Sequence, residues 1–405
     1  MENISTRAAT SPTPAPTEPT TPRAGRAAAI LLLAGSCMPV LGAVLLAPVL
    51  PSMTQAFADT PGVEILVPVV LTVPALMIAI FAPFAGAVAD RVGRKKLLLI
   101  AMILYSLFGT MPLWLNSLQA IVASRVGVGI AEAAIMTVCT TLITDYYTGK
   151  QRDKYLGMQV LVATLAATAF FALGGALGAQ GWRAPFWLYV SAALIAIPMA
   201  LVLWEPAKDA RKAEKTPVPW LHVAVPSAVT LFGGIVFYAL VVQLPYVLTD
   251  LGVTDVAVIG AGAAVASLAT ATGAFAFRFV SGAGPARLLP VAFGLAAIGL
   301  VVVWFASSVP VALAGAVVTS AGTGLLLPTL LTWAVSGLRL EQRGRGTGIW
   351  TGSLFIGQFV SPVLVGIAAA TLGGLPMALG VLGVLSAVAA VAAAIGRPQR
   401  HAVTE

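Results

Sequence analysis

Twelve long runs of mostly apolar residues constrain this chain more than any other feature of its sequence. A helix needs about 20 apolar residues to cross the roughly 30 Å hydrocarbon core of a bilayer, and each run has about that length. Only 9% of the residues are charged, against about 25% in soluble proteins. The sequence therefore predicts an all-α membrane protein with twelve transmembrane helices. Spans 1 to 12 are predicted at residues 27–50, 63–89, 97–115, 118–142, 157–179, 185–204, 221–247, 256–279, 288–306, 310–336, 346–370 and 375–396.

The positions of the basic residues indicate the orientation in the membrane. Twelve crossings place both ends of the chain on one side, and cytoplasmic segments of membrane proteins are enriched in Lys and Arg. With that side in the cytoplasm, the inner segments and the span ends beside them contain every one of the 23 Lys and Arg residues except Arg125 and Arg183. We predict a multi-pass protein of the inner or plasma membrane with cytoplasmic N- and C-termini.

The longest polar connection, residues 205–219, divides the spans into six and six. This layout suggests a duplicated bundle, and "RVGVGIAEAAIMT" in span 4 parallels "SAGTGLLLPTLLT" in span 10. We predict six-helix bundles at residues 27–204 and 220–396, joined by a cytoplasmic linker. Residues 1–26, which are rich in Thr and Pro, are predicted to be a disordered cytoplasmic tail, and residues 397–405 a second cytoplasmic tail.

Glu132 is the only acidic residue in the middle of a predicted span. A carboxylate at the bilayer centre costs about 2.5–3.5 kcal/mol on insertion scales, so such a residue usually faces a cavity or a partner. One interpretation is that Glu132 carries a coupling proton, and the alternative is that it only braces span 4. Arg125 lies seven residues earlier, on the same helical face. Arg125 is predicted either to assist Glu132, directly or through water, or to extend to the outer surface.

The loop after span 2 carries a specific motif. Its sequence "GAVADRVGRKK" contains Gly86, Asp90, Arg91, Gly93 and Arg94. At this spacing the loop resembles the signature of the major facilitator superfamily, and the resemblance extends over residues 27–396. "GWRAPFWLY" and "PVLPSM" are similar to segments of the proton-coupled drug exporters, and "RVGVGIAEAA" is similar to the Spinster-type lipid and sugar transporters.

The resemblance implies two six-helix bundles that work by alternating access, with helices 1, 4, 7 and 10 around a central cavity. Few polar residues occupy those helices and helices 5 and 11, which indicates a mostly apolar cavity that suits uncharged or amphipathic molecules. Each polar residue has packing or an interhelical hydrogen bond as its alternative role. The candidate cavity residues are Ser36, Gln159, Tyr238, Gln243, Thr323 and Gln358.

The resemblance also implies a role for Asp90, at the predicted end of span 2. A carboxylate there meets the negative end of the helix dipole and needs compensation. Arg91 or Arg94 could supply it locally. The alternative is that Asp90 docks on the N-terminus of span 11 when the inner gate is shut, with Gly86 and Gly93 allowing the backbones to approach closely.

The predicted activity is proton-coupled efflux, by antiport, of hydrophobic or amphipathic small molecules. Two alternatives remain open. The first is proton-coupled or facilitated uptake of a metabolite, or else transport of a lipid or sugar as in the Spinster type. The second is a membrane sensor that does not transport. Phe170 and Phe171 stand where drug exporters usually carry Gly-Pro, which keeps the first alternative open. No enzyme motif, metal site or nucleic-acid site is expected, and Cys37 and Cys139 lie in apolar runs. We expect a functional monomer in the lipid bilayer that needs no cofactor besides the proton gradient.

Overall fold

The structure of the protein is a computed structural model that describes residues 25–206, 220–396 and 398. Within these residues all regular elements are helical, and twelve helices are long and apolar enough to cross a membrane. The predicted fold class is therefore confirmed. We number the membrane helices in chain order: α1 has the segments Arg26–Ser36, Met38–Val44 and Leu50–Ala56, followed by α2 (Val63–Val92), α3 (Arg94–Thr110), α4 (Leu118–Tyr146), α5 (Gly149–Gly178), α6 (Val190–Val202), α7 (Trp220–Asp250), α8 (Val256–Val280), α9 (Pro285–Trp304), α10 (Val309–Val335), α11 (Leu340–Leu372) and α12 (Leu375–Gly396).

Some helices extend beyond the spans predicted from hydropathy. Helix α5 begins at Gly149 and α11 at Leu340, whereas spans 5 and 11 were expected to begin at residues 157 and 346. Hydropathy locates the apolar length that crosses the bilayer, and a helix continues past it while its residues still favour helix. Most of the predicted tails (residues 1–24, 397 and 399–405) and of the linker (residues 207–219) lie outside the described residues, so the domain boundaries stay predictions.

Helix α1 is interrupted rather than continuous. It turns at Cys37, passes through the 3₁₀ segment Ala47–Val49 and resumes at Leu50. Pro39, Pro48 and Pro51 are the second residues of the segments that follow the breaks. Breaks occur there because proline lacks the N–H that would continue the hydrogen-bond ladder. The breaks leave backbone carbonyl groups in the middle of the membrane that other helices can satisfy.

The twelve helices form two halves, α1–α6 and α7–α12, which meet along two crossings. Helix α5 packs against α8, and α2 packs against α11. We call the end where α1 begins and α12 ends the terminal face, and the other end the opposite face. The surface away from these crossings is apolar, with residues such as Leu201, Phe279 and Ile395 exposed, as a lipid-facing surface requires.

Candidate substrate and proton site

A cavity of about 660 Å³ lies between the two halves. Helices α1, α2, α4, α5, α7, α8, α10 and α11 line it, and most of the lining side chains are apolar. Its lining residues on α5 and α11 lie around the middle of those helices, from Gln159 to Phe171 and from Trp350 to Gln358. On α10 the lining reaches Leu331, close to where that helix ends at the terminal face, so the cavity extends toward that face.

The two halves close over the cavity at the opposite face. Thr54 of α1 and Tyr246 of α7 share a hydrogen bond of 2.9 Å. Gly175 of α5 meets Gly260 of α8 so closely that a Cβ on Gly175 would lie 2.7 Å from the Gly260 Cα. Backbones approach this closely only where small residues meet. The structure is thus one with the opposite face shut.

Four of the six candidate cavity residues line the cavity: Ser36, Gln159, Tyr238 and Gln358. The Gln159 amide donates to the Ser36 hydroxyl at 2.8 Å and to Thr140 Oγ1 at 3.1 Å. These three residues form a small polar group on α1, α4 and α5 that a substrate with hydrogen-bonding atoms could use. Its role in binding stays a prediction.

Gln243 and Thr323 do not line the cavity, contrary to expectation. Gln243 is buried within the second half, and Thr323 donates its hydroxyl hydrogen to the Ser320 carbonyl of its own helix, at 3.1 Å. Helical phase explains the difference, because a polar residue on a cavity-lining helix faces the cavity only on one side. Ser320 itself does line the cavity.

Glu132 is buried in the first half, with 1% of its surface exposed, and it is also one of the residues that line the cavity. It lies against Gly42 of α1, where a Cβ would meet Oε1 at 1.8 Å. Oε1 is buried and has no hydrogen-bond partner among the described residues. An ionisable group in this position is costly unless it is neutral or gains a partner during function.

Arg125 does not extend to the surface, because only 1% of it is exposed. Its Nη2 donates to the carbonyl groups of Phe108 and Gly109, at 2.8 and 3.0 Å. The guanidinium lies 5.0 Å from the centre of the Tyr189 ring, within cation–π distance. Its Nη1 is buried and unpartnered. Arg125 and Glu132 are not joined by an ion pair here, although each has one polar atom free.

Sequence reasoning missed two tyrosines beside Glu132, which are Tyr105 and Tyr189. Tyr105 of α3 donates to the Met38 carbonyl at 2.6 Å, and its ring centre lies 5.1 Å from that of Tyr189. Both residues are 1% exposed or less. A tyrosine in the middle of a predicted span was the available signal, since a buried phenol hydroxyl needs a partner.

The motif after α2 lies at the terminal face. The Asp90 side chain is 68% exposed and pairs with Arg94 of α3 at 3.5 Å, which is the local alternative. Arg94 also forms an ion pair with Asp145 at the end of α4, and Arg91 is exposed. Glu205 accepts hydrogen bonds from the backbone N–H groups of Arg94 and Lys95, at 2.6 and 3.0 Å, and so caps α3.

The predicted docking of Asp90 on α11 is not formed in this conformation, in which the cavity extends toward the terminal face. Nothing lies within 4 Å of a Cβ built on Gly86, so the expected close approach of backbones there is absent. Gly93 is needed for another reason. Its φ of 103° lies where other residues are strained, and it turns the chain between α2 and α3.

In the described parts of the chain no group of three His, Cys, Asp or Glu side chains is arranged to hold a metal ion. Cys37 and Cys139 are free and buried. The fold and the site define a membrane protein of two six-helix halves with a central cavity that is shut at the opposite face.

This arrangement is that of a secondary transporter, and comparison with known proteins identifies the family. The family model of the Major Facilitator Superfamily matches residues 32–283 and 227–405. The chain belongs to the Major Facilitator Superfamily, and it is a transporter rather than an enzyme.

Its relatives include exporters. The chain is 28% identical over 367 residues to the multidrug efflux protein YfmO of Bacillus subtilis (strain 168), which covers 84% of this chain and 88% of that protein. It is 29% identical over 197 residues to the class C tetracycline resistance protein of Escherichia coli, about half of each chain (47% and 48%).

Solved structures share the fold. A D-xylose–proton symporter matches with a TM-score of 0.78 at 14% identity, over 94% of this chain and 99% of that one. A bacterial homolog of the human lysosomal transporter Spinster, in an inward-facing and unoccupied conformation, matches with a TM-score of 0.72 at 20% identity, over 92% and 95%. Identities this low support the fold alone.

Proposed function

We propose that this protein exports hydrophobic or amphipathic small molecules in exchange for protons. The observation that carries the proposal is Glu132, a buried carboxyl group with an unpartnered oxygen beside a cavity of mostly apolar lining. A carboxyl group in such surroundings can take up and release a proton near neutral pH. The efflux relatives support the direction of transport.

The transport cycle follows from alternating access. A substrate enters the cavity from the terminal face while the opposite face is shut. The halves then rock, the cavity opens at the opposite face, and the substrate leaves. A proton that reaches Glu132 from the opposite side returns with the cavity and is released at the terminal face. Each turn exchanges substrate for proton because Glu132 and the substrate use the same cavity.

Proteoliposomes that contain an internal pH dye test this proposal with a lipophilic fluorescent dye as substrate. Glu132→Gln removes the titratable proton and keeps the shape of the side chain. We expect proton-driven dye accumulation to fall to background while dye-for-dye exchange survives. The matched control is Asp153→Asn, since Asp153 is an exposed acid that pairs with Arg152 at 3.7 Å, and it should behave as wild type.

Other outcomes would replace the proposal. Accumulation by Glu132→Gln at the wild-type level would remove Glu132 as the proton carrier. Dye movement in the same direction as the protons, rather than in the opposite direction, would indicate symport, as in an uptake protein. An absence of flux for every probe tested would favour a sensor without transport.

We also propose that the terminal face lies in the cytoplasm, on the inner or plasma membrane, and that a monomer is the working unit. The basic residues at that face support the orientation. Single cysteines at Asp59 and Lys96, with Cys37 and Cys139 replaced by alanine, test it. An impermeant maleimide should label position 59 but not position 96 in intact cells, and the reverse pattern would invert the topology.

A further inference from the structure

A hydrogen bond between the two halves lies next to the proton site. The Tyr238 hydroxyl of α7 donates to the Ala43 carbonyl of α1, at 2.5 Å. Ala43 follows Gly42, the residue against which the Glu132 carboxyl lies. The break in α1 after Val44 leaves this carbonyl available. A contact that belongs to the shut state of the opposite face therefore adjoins the group that we propose carries the proton.

The hydroxyl hydrogens of Tyr238 and Tyr105 limit which hydrogen bonds can form around Glu132. A tyrosine hydroxyl has one hydrogen and can still accept a bond. Tyr238 donates its hydrogen to the Ala43 carbonyl, and Tyr105 donates its own to the Met38 carbonyl. Neither hydroxyl can donate to Glu132 without losing its hydrogen bond to a carbonyl of α1. Each hydroxyl oxygen can still accept a hydrogen bond. The surroundings of Glu132 thus suit the protonated carboxyl, which has a hydrogen to give.

The ionised carboxylate has a different partner. The ionisable groups that face Glu132 are Tyr105 of α3, Tyr189 at the start of α6, Tyr238 of α7 and Arg125 of its own helix; α1 offers backbone there. Of these only Arg125 is a cation, and its Nη1 is free. An ionised Glu132 is attracted to Arg125, within the first half, and has nothing to donate to Tyr238.

We propose that Tyr238 is a positioning residue that couples protonation of Glu132 to closure of the opposite face. When Glu132 is protonated, it donates to the Tyr238 oxygen, and the chain continues to the Ala43 carbonyl across the two halves. When Glu132 is ionised, that chain is broken and the shut state loses stability relative to the open one. This inference rests on the proposed role of Glu132, and it assigns to Tyr238 the step that links protonation of Glu132 to the conformational change.

Spin labels on the opposite face test the inference on the full-length protein in nanodiscs. Asp59 and Ser307 are exposed there, one in each half, and cysteines at these positions report the distance between the halves once Cys37 and Cys139 are replaced by alanine. In the otherwise unaltered protein, raising the pH should move the population toward the longer distance. We expect Tyr238→Phe to favour the longer distance at low pH by about three- to tenfold, as for loss of one hydrogen bond, and to flatten the pH response.

Tyr105→Phe is the matched control, because it removes a hydroxyl beside Glu132 that bonds within the first half only. It should keep the pH response. A 4-aminophenylalanine at position 238, introduced by stop-codon suppression, returns an N–H donor to the same ring and should restore part of the low-pH preference for the short distance. This variant also serves if Tyr238→Phe does not fold.

The outcomes separate this inference from the proposed function. If Glu132→Gln flattens the pH response and Tyr238→Phe leaves it as in wild type, Glu132 remains the proton site and the role of Tyr238 is wrong. If the response persists in Glu132→Gln, the proton site itself is wrong. A loss of the response in Tyr105→Phe equal to that in Tyr238→Phe would also contradict the inference, since a bond within one half would then suffice.

Discussion

The Glu132 carboxyl group and Gly42 are in direct contact across α4 and α1. A Cβ on Gly42 would lie 1.8 Å from Glu132 Oε1, so an alanine there must displace the carboxyl group. We predict that Gly42→Ala lowers proton-coupled transport several-fold and destabilises the fold by about 1–3 kcal/mol, as for other overpacked sites. Gly294→Ala is the control, since a Cβ there meets nothing within 4 Å. Transport assays and thermal melting of both variants measure the difference. Equal activity would show that the position of the carboxyl group is unimportant.

Arg125→Lys tests whether the guanidinium or only its charge is required. Lysine keeps the charge but lacks the planar fork that reaches the Phe108 and Gly109 carbonyls. Two buried carbonyl groups would lose a charged donor, and we expect a loss of about 1–3 kcal/mol in stability together with reduced coupling. The melting temperature and the proton-to-substrate ratio provide the measurement. Near-normal values for both would mean that only the positive charge of Arg125 is required.

Gly175→Ala should disfavour the shut opposite face. A new Cβ would lie 2.7 Å from the Gly260 Cα and 2.8 Å from the Val256 carbonyl oxygen, and backbone atoms cannot move away as a flexible side chain can. We expect normal expression, transport reduced several-fold, and greater labelling of a cysteine in the cavity from the opposite face. Gly157→Ala on the same helix is the control, since its Cβ would meet nothing within 4 Å. Unchanged labelling in Gly175→Ala would mean that the crossing tolerates separation.

Asp90→Asn tests the motif at the terminal face. In this conformation the Asp90 side chain is exposed and pairs with Arg94, so the substitution should change stability by less than about 1 kcal/mol. If Asp90 docks on α11 when the terminal face shuts, the variant should stay in the conformation with that face open. We predict slower turnover and stronger labelling of a cavity cysteine from the terminal face, with Asp153→Asn unchanged. Labelling equal to wild type would restrict the loop to a topology signal.

The sequence by itself determined the membrane helices and the single acidic residue among them. Apolar length is a local property, and burying an unpaired charge in lipid is costly wherever the chain goes, so twelve spans and Glu132 could be found without a fold. The motif after α2 likewise indicated the family, because its residues are close together in the chain.

Only the tertiary structure decided which groups meet. Tyr238 bonds to Ala43 across 195 positions of sequence, and Gln159 reaches Ser36 across 123. Gln243 and Thr323 face away from the cavity although they lie on helices that line it. These outcomes depend on helix phase, on where α1 breaks and on how closely glycines let the helices approach. Hydropathy carries none of that information, since it records how apolar a segment is and not which side of it faces a neighbour.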